Sequence, residues 1–203
     1  MEFYNDLITQ ESFAYLQKMR KSYKFILIGG WAVYLYSKSL KSKDIDIIVD
    51  YEILAKLKEA DDVVKNDRLN KYEINTGHFD IDIYVPNYSK LGIEVDEIKK
   101  FAVSREGFDV PALEILFLMK LFAWHNRRGS AKGQKDELDI MSLAILPEFD
   151  WKKYLELISR FSFSQFNEEF IALLKNTRSV KELGVNEQGM SKIRKNIMMS
   201  LEK

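Results

Sequence analysis

A chain of 203 residues, 46% hydrophobic and 13% aromatic, can bury a real core as one large or two small domains, which excludes a disordered protein. Lys plus Arg and Asp plus Glu number 31 each, so no overall positive field recommends a nucleic-acid partner, and any such partner must be held by a local patch. Cysteine is absent, which rules out disulfides and thiolate metal sites. With no basic-then-apolar opening of the signal-peptide kind, a cytoplasmic protein is expected.

Residues 4–20 read as an opening amphipathic helix, followed by a short strand, KFILI, that stops at Gly29 and Gly30. WAVYLYSKS resumes as a helix, KDIDIIV (43–49) alternates as a strand, and 51–60 is helical. LNKYEI and FDIDIYV flank Asn75, Thr76 and Gly77, a turn signal between two strands. From about Pro111 the character changes to helical patterns at 112–127, 134–146, 151–160, 165–177 and 189–202, with no convincing strand. The longest nearly apolar run, LEILFLMKLFAW at 113–124, is too short to cross a bilayer and carries a lysine. It reads as a buried helix, and no membrane association is expected. The fold class is therefore α+β: a small mixed sheet flanked by helices over 1–110, then an all-helical part over 111–203 expected to pack against it and complete an active site.

The chemistry lies in the strands. Side chains alternate faces along a strand, so Ile45, Ile47 and Val49 share one side while Asp44 and Asp46 share the other. The later strand repeats the arrangement, with Ile81 and Ile83 against Asp80 and Asp82. If the two strands are neighbours, three or four carboxylates converge, and like charges a few ångströms apart repel. A hard divalent cation removes that repulsion and uses carboxylate oxygens as ligands. The plain alternative is an ordinary amphipathic sheet. Duplication of the pattern, together with the glycines, favours the metal. A strand that ends in Gly29-Gly30 and runs into a helix presents backbone N–H groups at a helix N-terminus, where a phosphate is well received.

LIGGWAVYLYSKSLKSKDIDIIV with the later FDIDIYV resembles the DNA polymerase β-like nucleotidyltransferases, in which an apolar Gly-Gly or Gly-Ser turn and a helix precede an Asp-x-Asp strand and a third carboxylate follows. The resemblance implies that Asp44 and Asp46 bind Mg²⁺ or Mn²⁺, that Asp82 is the third ligand with Asp80 as its rival, and that Gly29 and Gly30 face the triphosphate of an NTP. Where many relatives carry an Arg shortly before the Asp-x-Asp, this chain has Lys41, Ser42 and Lys43, of which Ser42 and Lys43 stand as phosphate contacts.

Lys120 lies among apolar neighbours in ILFLMKLFAW, and a buried ammonium needs a carboxylate or a bound anion. The segment that follows, RRGSAKGQKDELD, reads as a basic loop leading to Asp136 and Asp139. The run 111–143 resembles more narrowly the AbiEii-like and MenT-like, toxin-type nucleotidyltransferases. That resemblance implies Lys120 on the triphosphate, Asp136 or Asp139 orienting it, and an antitoxin protein as a partner.

Among the remaining residues, His78 reads as a solvent-exposed loop histidine, and His125 as a packed, hydrogen-bonded one. Trp31 reads as packed beneath the glycine turn. Trp151, Phe161, Phe163, Phe166 and Phe170 read as helical core, with Phe161 and Phe163 in a bend. The expected function is a metal-dependent nucleotidyltransferase that moves NMP from an NTP to an acceptor hydroxyl. RNA or tRNA, a protein, and a small molecule stand as acceptors. The alternative is a catalytically silent nucleotide- or partner-binding member of the same fold, and a metal-dependent phosphohydrolase is a third reading.

Overall fold

The computed structural model describes residues 6–202 and divides the chain into two compact units, Met1–Ala112 and Leu113–Lys203. Among the described residues, the first carries seven strands in one mixed sheet, ordered 3-4-5-2-1-7-6 by their sequence in the chain. Its elements are α1 (Asp6–Ser22), β1 (Ile26–Ile28), α2 (Gly29–Ser37), β2 (Ile45–Ile48), α3 (Tyr51–Ala60), β3 (Val64–Asn66), β4 (Lys71–Asn75), β5 (Asp80–Tyr84), α4 (Val95–Lys100), β6 (Ala102–Arg105) and β7 (Phe108–Pro111). The second unit holds α5 (Leu113–Arg127), α6 (Ala131–Ala144), α7 (Trp151–Arg160), α8 (Ser164–Asn176) and α9 (Glu187–Leu201). Among the described residues no helix is long and apolar enough to cross a membrane. Residues 4 and 5 of the expected opening helix lie outside the described residues.

In the first unit the period-2 pattern sets the register. Ile45, Ile47, Ile81 and Ile83 are fully buried, while Asp46, Asp80, Asp82 and Tyr84 are half-buried on the other face. Parallel pairing of β2 with β5 sets Asp46 abreast of Asp82, and antiparallel pairing of β4 with β5 sets Glu73 abreast of Asp82. On the far side of β2, the antiparallel partner β1 puts Ile28 beside Asp46. The row Glu73, Asp82, Asp46, Ile28 thus crosses four adjacent strands and ends where α2 begins.

Three features differ from the sequence reading. The strand expected over 43–49 starts at Ile45, so Asp44 occupies the bend before it. Its carboxylate instead accepts the Asp80 backbone N–H at 3.2 Å. The helix expected from residue 134 begins earlier, at Ala131, and takes up part of the segment read as a basic loop. Ser130 caps it, its Oγ accepting the Gly133 N–H at 3.0 Å and satisfying a first-turn donor. Finally, β6 and β7 form a hairpin over Glu106 and Gly107, both at positive φ, and β7 runs parallel to β1.

The second unit is built around α5, whose residues are buried on nearly every face. Phe117 takes Phe149, Tyr154 and Phe170 edge-on at 5.0, 5.3 and 5.1 Å, the preferred geometry for aromatic quadrupoles. Burial pushes the Tyr154 hydroxyl pKa up, and that hydroxyl donates to Asn167 Oδ1 at 3.0 Å. Phe161 lies in the turn before α8, where Ser162 has φ +60°, so the bend read around Phe161 and Phe163 is present.

Candidate active site

The glycine turn is shaped by the aspartate beside it. Gly29 has φ +65° at the first position of α2, and a Cβ there would lie 2.0 Å from Asp46 Oδ2. Both facts demand glycine: the left-handed backbone disfavours a side chain, and the carboxylate already fills its space. α2 follows without a side-chain cap, because its N-cap residue is Ile28, and Gly30 is buried. Trp31 is buried behind the turn, with its Nε1 donating to Ser12 Oγ at 2.9 Å and its ring 4.9 Å from that of Phe13. It packs, as expected. Ser42 is buried and Lys43 half-buried, both directly before Asp44.

Asp46 and Asp82 are brought side by side by the β2–β5 register. The Tyr84 hydroxyl donates to Asp46 Oδ1 at 3.5 Å. Asp82 Oδ2 is held by Lys71 Nζ at 2.5 Å, and the same ammonium lies 2.8 Å from Glu73 Oε1. Asp82 Oδ1 is buried with no hydrogen-bond partner. Burial first, and then the negative charge of Asp46, push the Asp82 carboxyl up to about 7 against the opposing pull of Lys71. Burial works against the Lys71 ammonium, but its bonds to Asp82 and Glu73 outweigh that and raise its pKa. Asn66 Nδ2 donates to both Glu73 oxygens at 3.1 and 3.2 Å, which fixes the outer end of the row.

The donor set suits a hard cation. Its ligands would be carboxylate oxygens only, one of them a buried oxygen with no partner, in a row that carries more acids than bases. Among the described residues, however, no group of three or more His, Cys, Asp or Glu side chains is arranged to hold a metal ion. Asp46 and Asp82 are brought together. Asp44 lies one step along the sheet, beside Asp80.

Within the second unit, Lys120 Nζ lies 2.7 Å from Asp139 Oδ2 and 3.5 Å from Asp136 Oδ1. The Asp139 contact is an ion pair without hydrogen-bond alignment, since neither Asp139 oxygen has a hydrogen-bond partner. Arg127 grips Asp136 with two nitrogens, Nε to Oδ2 at 2.5 Å and Nη2 to Oδ1 at 2.8 Å, the fork geometry that suits a carboxylate. The partner required by a buried ammonium is thus a pair of carboxylates. His125 Nδ1 is 2.9 Å from Glu169 and its ring packs on Phe166, while the exposed His78 pairs with Glu11 at 2.8 Å.

Lys71 and Glu73 escaped the sequence reading. The signal was present: in KYEI they alternate with buried Tyr72 and Ile74, which sets a lysine on the polar face of a strand one turn away from an acidic strand.

Residues 7–181 match the model of a family described as a nucleotidyltransferase of unknown function, DUF6036. A sequence comparison with curated proteins finds no match. Among solved structures, a candidate nucleotidyltransferase from H. pylori is 17% identical, with a TM-score of 0.56 over 97% of this chain and 96% of that one. JHP933 from Helicobacter pylori is 16% identical, with a TM-score of 0.52 over 98% and 94%. ANT(2")-Ia, solved in complex with adenylyl-2"-tobramycin, is 14% identical, with a TM-score of 0.55 over 78% of this chain and 98% of its own. At these identities the likeness is one of fold.

Proposed function

The chain belongs to the nucleotidyltransferase family DUF6036, and from that premise we propose that it transfers a nucleoside monophosphate from an NTP to an acceptor hydroxyl, with pyrophosphate as the leaving group. The observation that carries the reading is the pairing of Asp46 with Asp82 on adjacent strands, next to a glycine turn that a side chain at residue 29 would destroy. A carboxyl pair held against its own repulsion, with one member shifted to about 7, is the kind of arrangement that functional sites retain at a cost in stability.

Asp46 and Asp82, with Asp44 beside them, would hold Mg²⁺ or Mn²⁺. Such an ion supplies charge neutralisation and polarisation of phosphoryl oxygens when bound. The chain's own residues do the positioning on which phosphoryl transfer chiefly depends. The Gly29-Gly30 turn gives an NTP close access to backbone N–H groups at the start of α2, and Ser42 and Lys43 stand as further phosphate contacts. Asp82 is suited by its place beside Asp46 to take the acceptor hydroxyl proton. The family resemblance assigns Lys120 to the triphosphate, oriented through Asp136 or Asp139. Within its unit that ammonium is held by the two carboxylates, so phosphate contact requires it to be shared. The toxin-type resemblance adds an antitoxin protein as a candidate partner and RNA or tRNA as an acceptor. The adenylyl-tobramycin bound by ANT(2")-Ia lends weight to a small hydroxylated acceptor.

One observation favours a second reading, a silent nucleotide-binding member: Lys71 already supplies Asp82 with a positive charge. Incubating the protein with each α-labelled NTP and Mg²⁺ or Mn²⁺, against total RNA, tRNA and small hydroxylated acceptors, separates the readings. Labelled acceptor and free pyrophosphate that vanish in Asp46→Asn are expected. NTP binding with no turnover would leave the silent reading, and nucleotide or phosphate release with no labelled acceptor would indicate hydrolysis.

A further inference from the structure

Three acids stand in line across β4, β5 and β2, and a single ammonium serves the first two. Lys71 projects from β4 two residues before Glu73 and reaches diagonally to Asp82 Oδ2 at 2.5 Å, while staying 2.8 Å from Glu73 Oε1. Its side chain is only 11% exposed, so it is a fixed part of the sheet face rather than a passing surface contact. The ammonium holds Asp82 Oδ2 while the unpartnered Oδ1 is the oxygen left for a divalent cation, and two positive groups do not share one carboxylate without repulsion. Glu73 gives the ammonium somewhere to remain, because Asn66 anchors both Glu73 oxygens and so keeps that carboxylate within reach.

We propose that Lys71 is a built-in counter-ion of the cation-free site, and that a divalent cation on Asp46 and Asp82 displaces its ammonium from Asp82 onto Glu73. Lys71 is then a positioning residue that sets the threshold for cation binding. With no cation it neutralises the acid row. With a cation it retreats to Glu73 instead of to water. The inference rests on the reading of Asp46 and Asp82 as cation ligands, and the control below separates its failure from the failure of that reading.

The test is Mn²⁺ binding to the full chain without nucleotide, followed by electron paramagnetic resonance and calorimetry at a fixed pH above the range in which Asp82 takes up a proton, so that loss of Lys71 does not exchange cation for proton on that carboxylate. Lys71→Met keeps the aliphatic stem and should bind Mn²⁺ about ten-fold tighter than wild type, since an opposite charge beside a carboxylate is worth at least one logarithmic unit. Lys71→Arg keeps the charge and should stay near wild type. Glu73→Gln should weaken binding in the wild-type background, where Lys71 loses its second partner, but have little further effect in Lys71→Met. A plain long-range charge effect would act equally in both backgrounds, so this double-mutant cycle tests the displacement itself. Should Lys71→Met fail to fold, Lys71→Gln, which retains a donor for Asp82, takes its place. Mn²⁺ binding that is lost in Asp46→Asn but unchanged or weaker in Lys71→Met overturns the role of Lys71 and leaves the cation reading standing. An absence of Mn²⁺ binding in wild type and Lys71→Met alike overturns both.

Discussion

Each unit of the molecule buries a lysine against two acids, and the two clusters are balanced differently. In the second unit, Asp136 and Asp139 are answered by Lys120 and by the two-pronged grip of Arg127, charge for charge. In the first, the three acids Glu73, Asp82 and Asp46 share a row with Lys71 alone, and the Asp82 carboxyl is pushed up to about 7. Neutralised burial is what a folded chain can tolerate indefinitely, because removing either partner leaves an unpaired charge. Unneutralised burial lowers stability and persists only where something outside the chain completes it. Charge imbalance, more than the number of acids, separates a candidate site from a structural ion network.

The sharpest break of that comparison removes one acid from each cluster. Asp46→Asn should lower nucleotidyl transfer by on the order of 10²–10³-fold or more. Its melting temperature should stay level or rise, since a repulsive neighbour of Asp82 is gone; labelled-acceptor assays and thermal denaturation read the two effects. Asp136→Asn should do the opposite to stability, lowering it through the loss of the Arg127 fork.

Next in size is the effect of emptying the second cluster of its cation. Lys120→Met leaves Asp139 buried with no opposing charge and should cost about 3–5 kcal/mol in chemical denaturation, the usual consequence of breaking a buried pair from one side. A loss below about 1 kcal/mol would mean that the network is not what holds α5 to α6. Gly29→Ala comes third. A methyl group 2.0 Å from Asp46 Oδ2 at φ +65° must shift either β2 or the start of α2, for about 1–3 kcal/mol. Because the atom displaced belongs to Asp46, transfer activity should fall more than stability does.

Much of this was legible from the residues alone. The Asp-x-Asp duplication, the Gly-Gly turn and the apolar setting of Lys120 each impose a local constraint that survives without knowledge of the fold: period-2 alternation, positive φ, and the need of a buried ammonium for a partner. The five helices of the second unit follow from long apolar periodicity. What escaped depends on non-local pairing. The sheet edge made by β6 and β7 is short, and its hairpin signal is a lone Glu106-Gly107 step. The turn at Asn75, Thr76 and Gly77 already set β4 beside β5, but the diagonal reach of Lys71 to Asp82 depends on the pairing register, which the residues alone do not fix. Asp44 reads as a strand residue from alternation, yet its carboxylate is drawn to the Asp80 N–H, and the strand starts one residue later.

The last effect discriminates between the two clusters by stability alone. Asp82 ionises near pH 7 in the fold against about 4 when unfolded. Between those values the native state holds a proton that the unfolded chain has already released, so this group makes the protein progressively less stable as pH rises through that window, by a slope approaching about 1.4 kcal/mol per pH unit in the absence of metal. The sign is opposite to that of a salt-bridged carboxylate, whose contribution is lost on acidification. Asp82→Asn should therefore flatten the pH dependence of urea stability between about pH 4.5 and 6.5. In that same variant Lys71 keeps Glu73 as its partner, so the fold should survive the exchange. A slope unchanged by Asp82→Asn would mean that Lys71 holds the carboxylate ionised, placing the first unit's cluster beside the second as a closed ion network.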